Sequence, residues 1–131
     1  MIERVDVFVR VLQTPPAKKG LAIVLYRYKG NIKDFYFSTF EITQNRSIIL
    51  ASIIAIEGLK FGYDLNLHTQ TNFGFKYTKN SKKWVNRDIG EHLNYVIERG
   101  GHEVTFIDCL DTDESKDYQQ ALAVRLKPFK I

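Results

Sequence analysis

The chain has 131 residues, 44% of them apolar and 26% charged, ordinary values for a folded soluble domain with a real core. Its longest nearly unbroken apolar run, residues 48–56, is too short to span a bilayer, which excludes a helical membrane protein. A net charge of +4 and a pI of about 9.2 admit a polyanionic partner without demanding one.

The first residues lack the charged-then-apolar layout of a secretion signal. One cysteine, Cys109, permits no internal disulfide, so a reducing cytoplasm is the expected location.

Val5, Val7, Val9 and Val11 alternate with Asp6, Phe8 and Arg10, the period of a strand with two distinct faces. A connector over residues 13–19 carries Pro15-Pro16 and Lys18-Lys19. Residues 21–28 read as a second strand, largely buried. Gly30-Asn31 supplies turn chemistry, and residues 33–40 return as an aromatic-rich third strand, which makes an antiparallel meander.

The period then changes. Thr43 is a good N-cap for a helix over residues 47–59, where Ala51 and Ala55 permit close packing on a sheet. Gly58 and Gly62 end it. Residues 63–69 read as a fourth strand, reached by a crossover long enough for parallel pairing. A second helix starting near Asn86 or Asp88 shows a stripe of Ile89, Leu93, Val96 and Ile97 and stops at Gly100-Gly101. Residues 103–110 form a fifth strand. A last helix over 113–126 runs through Tyr118, Ala121, Leu122 and Leu126 and ends before Pro128. The expected organisation is one domain over residues 1–131.

Thr43-Gln44-Asn45-Arg46 resembles the polar run that opens the first helix of ribonuclease H domains, ahead of their catalytic Glu. Leu67-His68-Thr69-Gln70-Thr71 resembles the strand end written Thr-Asp-Ser in active members. Asn86-Arg87-Asp88-Ile89 with Leu93 resembles the start of their later helix, and Gln120-Ala121-Leu122-Ala123 an Asp-x-Leu-Ala segment. The resemblance spans about residues 5–126. It implies an α/β ribonuclease H-like fold, with a five-stranded mixed sheet of three antiparallel and two parallel strands flanked by helices.

Active members of that family hold two Mg²⁺ ions with four carboxylates and cleave the RNA strand of an RNA–DNA hybrid. The resemblance places Arg10, Ile48, Gln70 and Gln120 at those four positions, and Leu110 where the family carries a loop His. A guanidinium, an alkyl group and two amides are poor ligands for a hard cation. A unit charge pair ~4 Å apart interacts by roughly 4 kcal/mol at an effective dielectric near 20, so Arg10 would oppose a divalent ion by about twice that. The expectation is a pseudo-enzyme with no catalytic residue, no metal and no cofactor.

The acidic stretch Asp108, Asp111, Asp113, Glu114 and Asp117 reads as helix capping and solvated surface. His68, His92 and His102 lie in three elements without metal-ligand spacing, and Cys109 reads as a packed thiol.

Nucleic acid is the expected partner. Thr43, Gln44, Asn45 and Arg46 match family positions that touch the nucleic-acid backbone, although capping alone explains Thr43. Arg10 could hold a phosphate where relatives hold metals, or settle in an inert cluster by pairing with a carboxylate or with Gln70 and Gln120. Lys82, Lys83 and Trp84 lie in a basic, aromatic-rich stretch suited to a strand of nucleic acid. A protein-interaction module using Phe35, Tyr36 and Phe37 is the alternative, and a nuclease with relocated ligands a third reading. The sequence leaves the oligomeric state open.

Overall fold

The computed structural model describes residues 3–13, 19–41, 43–60, 62–71 and 86–129. Strand β1 (Glu3–Gln13) buries Val5, Val7, Val9 and Val11 on one face and Phe8 on the other. It pairs antiparallel with β2 (Gly20–Tyr28), Val9 opposite Val24, and β2 pairs with β3 (Asn31–Thr39), Val24 opposite Phe35. The β2–β3 turn centres on Lys29 and Gly30, both at positive φ (49° and 79°), one residue earlier than the expected Gly30-Asn31. Two successive left-handed residues suit the twist of a tight hairpin.

Helix α1 (Gln44–Glu57) carries the chain to β4 (Tyr63–Thr69), parallel to β1 with Val7 beside Leu67. Helix α2 (Arg87–Gly100), closed by Gly101 at φ 69°, leads to β5 (Glu103–Asp108), parallel to β4. Helix α3 (Asp113–Leu126) ends in a 3₁₀ turn, Lys127–Phe129. The sheet order β3-β2-β1-β4-β5 puts β1 at the centre, the five-stranded mixed sheet the sequence implies. No described helix is long and apolar enough to cross a membrane.

Helix α1 begins directly after Thr43, the expected N-cap, whose hydroxyl accepts a bond from Arg46 N–H and fixes the first turn there. The fifth strand stops at Asp108 because the chain turns back, Asp111 N–H donating to Asp108 O.

Two cores share the sheet. On one face Ile48, Ile49, Ala51 and Ala55 of α1, with Leu93 and Val96 of α2, pack on the valines of β1. On the other, Leu122 and Leu126 of α3 cover Phe8, Ile23 and Leu25. Each fully buried Val, Leu, Ile or Phe among them contributes about 1.5–3 kcal/mol relative to exposure. The inward stripe of α3 is Ser115, Gln119, Leu122 and Leu126 rather than one through Ala121, which is exposed. Alternation along β3 sends Phe35 and Phe37 toward the α1 core and Tyr36 outward, where its hydroxyl accepts from Arg125. The three aromatics therefore form no single exposed face.

Candidate nucleic-acid interface

At the carboxyl ends of β1 and β4 a cleft of about 230 Å³ opens between the start of α1 and the end of α3. Arg10, Gln13, Gln44, Gln70 and Lys127 line it with apolar neighbours, and no carboxylate does among the described residues. The fold brings these polar groups together because β1 and β4 end side by side, and because Gln44 opens the helix that crosses above them.

Gln70 extends the sheet with its side chain. The register of β1 and β4 ends at Val9 beside Thr69. Beyond it, Val11 N–H donates to Gln70 Oε1 (2.6 Å) and Gln70 Nε2 donates to Val11 O (3.1 Å). Both polar atoms of the amide thus replace the backbone that would have continued the ladder. Cys109 Sγ donates to Gln70 O at 3.1 Å, tying in the end of β5.

Gln13 is also committed. Its Oε1 accepts from Ser47 Oγ (2.8 Å) and its Nε2 donates to Glu41 O (2.8 Å), while Thr39 Oγ1 donates to Ser47 Oγ. Gly20 permits this knot, since a Cβ there would meet Thr39 Oγ1 at 2.5 Å and Gln13 Oε1 at 2.6 Å.

Arg10 is different. Burial lowers its pKa, only partly opposed by the neighbouring Cys109 sulfur. Among the described residues no carboxylate lies within ion-pair distance, and its guanidinium bonds neither Gln70 nor Gln120. The inert cluster the sequence suggested does not form, because Gln70 is occupied by β1 and Gln120 faces solvent. A partly desolvated cation facing a cleft favours an anion.

No family model matches the chain. It is similar to the ribonuclease HI of Xylella fastidiosa (strain Temecula1), 27% identical over 122 residues, covering 82% of this chain and 81% of the relative. Among solved structures, ribonuclease H1 from the halophilic archaeon Halobacterium salinarum superposes with a TM-score of 0.66 at 14% identity, over 80% of this chain and 86% of that one. The fold of this chain is ribonuclease H-like. LC11-RNase H1, solved in complex with an RNA/DNA hybrid, superposes on this ribonuclease H-like fold with a TM-score of 0.65 at 11% identity, over 79% and 85%.

Within the ribonuclease H-like scaffold, the four positions that the resemblance assigns to metal ligands do not converge. Arg10 and Gln70 share the cleft. Ile48 is buried in the α1 core, and Gln120 is exposed outside the cleft. Gln119 is the residue α3 turns inward, donating to Val9 O (3.1 Å) and His68 O (3.3 Å). These residues do not fit a centre for two Mg²⁺ ions: one position carries positive charge, one is an amide spent on backbone, one an alkyl group and one points away.

Thr43 caps α1, Gln44 lines the cleft and Asn45 is half-buried in the first turn. Arg46 is fully employed in holding the fold. Its Nε donates to Glu41 (3.1 Å) and both Nη atoms donate to Asp88 at 2.9 Å, locking α1 to α2. Those bonds from Arg46 pull the Asp88 carboxyl down to about 2. Lys82, Lys83 and Trp84 lie outside the described residues. Leu110 is 82% exposed in the turn after β5.

A second polar cluster was not legible in the sequence. On the α3 face, Asp6 bonds His68 Nε2 (2.9 Å), Asn66 (3.2 Å) and Arg27 (2.9 Å), and Arg27 also donates to Glu114 (2.8 Å). Burial raises the Asp6 carboxyl, but the bonds from His68, Arg27 and Asn66 outweigh it and hold it below the usual range. The rings of His68, Phe8 and Tyr118 stack at 4.1 and 4.2 Å, with the Arg27 guanidinium over the last two. Asp6, His68 and Glu114 offer ligand atoms within 4.8 Å of one another, yet Arg27 bridges both carboxylates and supplies the positive charge a metal would bring. His68 therefore belongs to the packing of α3 on the sheet.

Proposed function

We propose that this chain acts as one ribonuclease H-like domain that binds nucleic acid, an RNA–DNA hybrid foremost, and does not hydrolyse it. The observation that carries the reading is Arg10: a half-buried guanidinium without a carboxylate partner among the described residues, set at the strand ends where the family resemblance puts a metal ligand. Its planar fork suits two oxygens of a phosphate. Lys127 adds a second positive charge to the cleft, and Gln44 adds a neutral donor. The hybrid bound by the similar LC11-RNase H1 supports the choice of ligand.

Hydrolysis by two ions is set aside on chemistry, since no carboxylate lines the described cleft. A protein-interaction role loses the aromatic face that suggested it, because Phe35 and Phe37 turn inward. The test is a titration of labelled hybrid, duplex and single strand at two salt concentrations, with and without Mg²⁺. Salt-sensitive binding of uncleaved hybrid, weakened in Arg10→Ala, is the expected result. Cleavage that requires Mg²⁺ in rigorously purified protein would sink the reading.

A further inference from the structure

A cavity of about 620 Å³ lies on the α1 face at the far end of that helix from the cleft, within the size range of small-molecule sites. Four aromatic rings wall it: Tyr26 and Tyr28 of β2, Phe35 of β3 and Tyr63 of β4. Tyr26 and Phe35 lie 5.9 Å apart, and Tyr28 and Tyr63 meet edge to face at 6.0 Å. The Tyr26 hydroxyl is held inward by the Ala55 carbonyl, so that ring presents an apolar surface.

The space stays open because of Gly58. Its backbone is right-handed helical (φ −72°, ψ −8°) and would accept any residue, but a Cβ there would reach 3.1 Å from Tyr26 Oη. A larger side chain would enter the cavity.

The rim is asymmetric in charge. Lys33, opposite Tyr26 in the β2–β3 register, is exposed at the rim with no ion pair among the described residues, beside Asn31. The nearby carboxylate, Glu3, is already bonded by the Tyr28 hydroxyl and by Lys29. An anionic head is therefore favoured at the mouth, and a flat ring favoured within, where aromatic walls reward stacking and edge contacts.

We propose that this cavity is a binding site for a planar aromatic carboxylic acid, its ring held among Tyr26, Tyr28, Phe35 and Tyr63 and its carboxylate on Lys33. The site is separate from the Arg10 cleft and does not depend on nucleic-acid binding.

The test uses 2-naphthoate, 2-naphthylmethanol and 2-naphthylmethylamine as probes, followed by calorimetry and ligand-observed NMR. The acid should bind the unmodified protein more tightly than the alcohol, and the amine least. Lys33→Gln should weaken the acid about tenfold and leave the alcohol unchanged, because only the charged head is lost. Gly58→Leu, verified as folded by circular dichroism and its urea midpoint, should abolish binding of both. Absence of binding at millimolar 2-naphthoate, equal affinity for acid and amine, or undiminished binding in folded Gly58→Leu protein would overturn the proposal.

Discussion

Replacing Gln70 with leucine tests whether this side chain has become part of the sheet. The two residues are similar in size, so the substitution removes two hydrogen bonds with little change in volume. Val11 is 2% exposed, so its N–H and C=O would be left buried without those partners. An unmade bond at a buried group costs about 1–3 kcal/mol, so Gln70→Leu should destabilise the fold by about 2–4 kcal/mol. At a urea slope of about 2 kcal/mol per molar, the unfolding midpoint should fall by roughly 1–2 M. Urea denaturation followed by circular dichroism, with the slope unchanged, measures this. A loss below about 0.5 kcal/mol, the size of an ordinary surface change, would refute the claim that Gln70 completes the β1–β4 ladder.

Other perturbations separate structure from binding. Arg10→Ala should leave the urea midpoint unchanged or raise it, because it removes a partly desolvated charge with no carboxylate partner among the described residues. The same change should weaken hybrid binding about tenfold and reduce the salt slope by about one, as read by fluorescence anisotropy. Arg46→Gln should do the reverse, costing up to about 1 kcal/mol of stability at this exposed pair while affinity changes little. The Asp88 carboxyl is depressed, so its contribution is present above pH 3.8 and lost as pH falls toward about 2; acid titration of Arg46→Gln should lack that loss. Asp6→Asn should cost about 1–3 kcal/mol, since Arg27 and His68 lose their shared acceptor. The depressed Asp6 carboxyl stabilises the unmodified protein above pH 3.8 and less below it, so the variant's deficit should shrink in acid.

Most of the sheet was legible because alternation and turn chemistry are local signals. Val5, Val7, Val9 and Val11 announce a buried face, and the meander and later alternation of strand and helix fix the strand pairing. The sites were harder. Gln119 and Gln120 differ by one residue, yet a helix rotates each position by about 100°, so matching a motif cannot decide which amide faces the sheet. Asp6, Arg27 and Glu114 are separated by 21 and 87 residues, and each alone reads as a solvated charge. The inward period of β1, which places Asp6 beside the aromatic Phe8, was the one available hint. Arg46 looked like a ligand-binding cation because its partner Asp88 lies 42 residues away. The cavity beneath Gly58 left no signature at all, since it depends on what a missing side chain fails to fill.

On the proposed function, Arg10 meets a phosphate at the position where the resemblance puts a metal ligand. Crystals grown with an RNA–DNA hybrid in the presence of Mn²⁺ test it most directly, because anomalous scattering locates the ion. The expected result is an intact RNA strand with a phosphate on the Arg10 guanidinium and no manganese between β1 and β4. A pair of manganese ions in that cleft, with the RNA strand cut beside them, would contradict it.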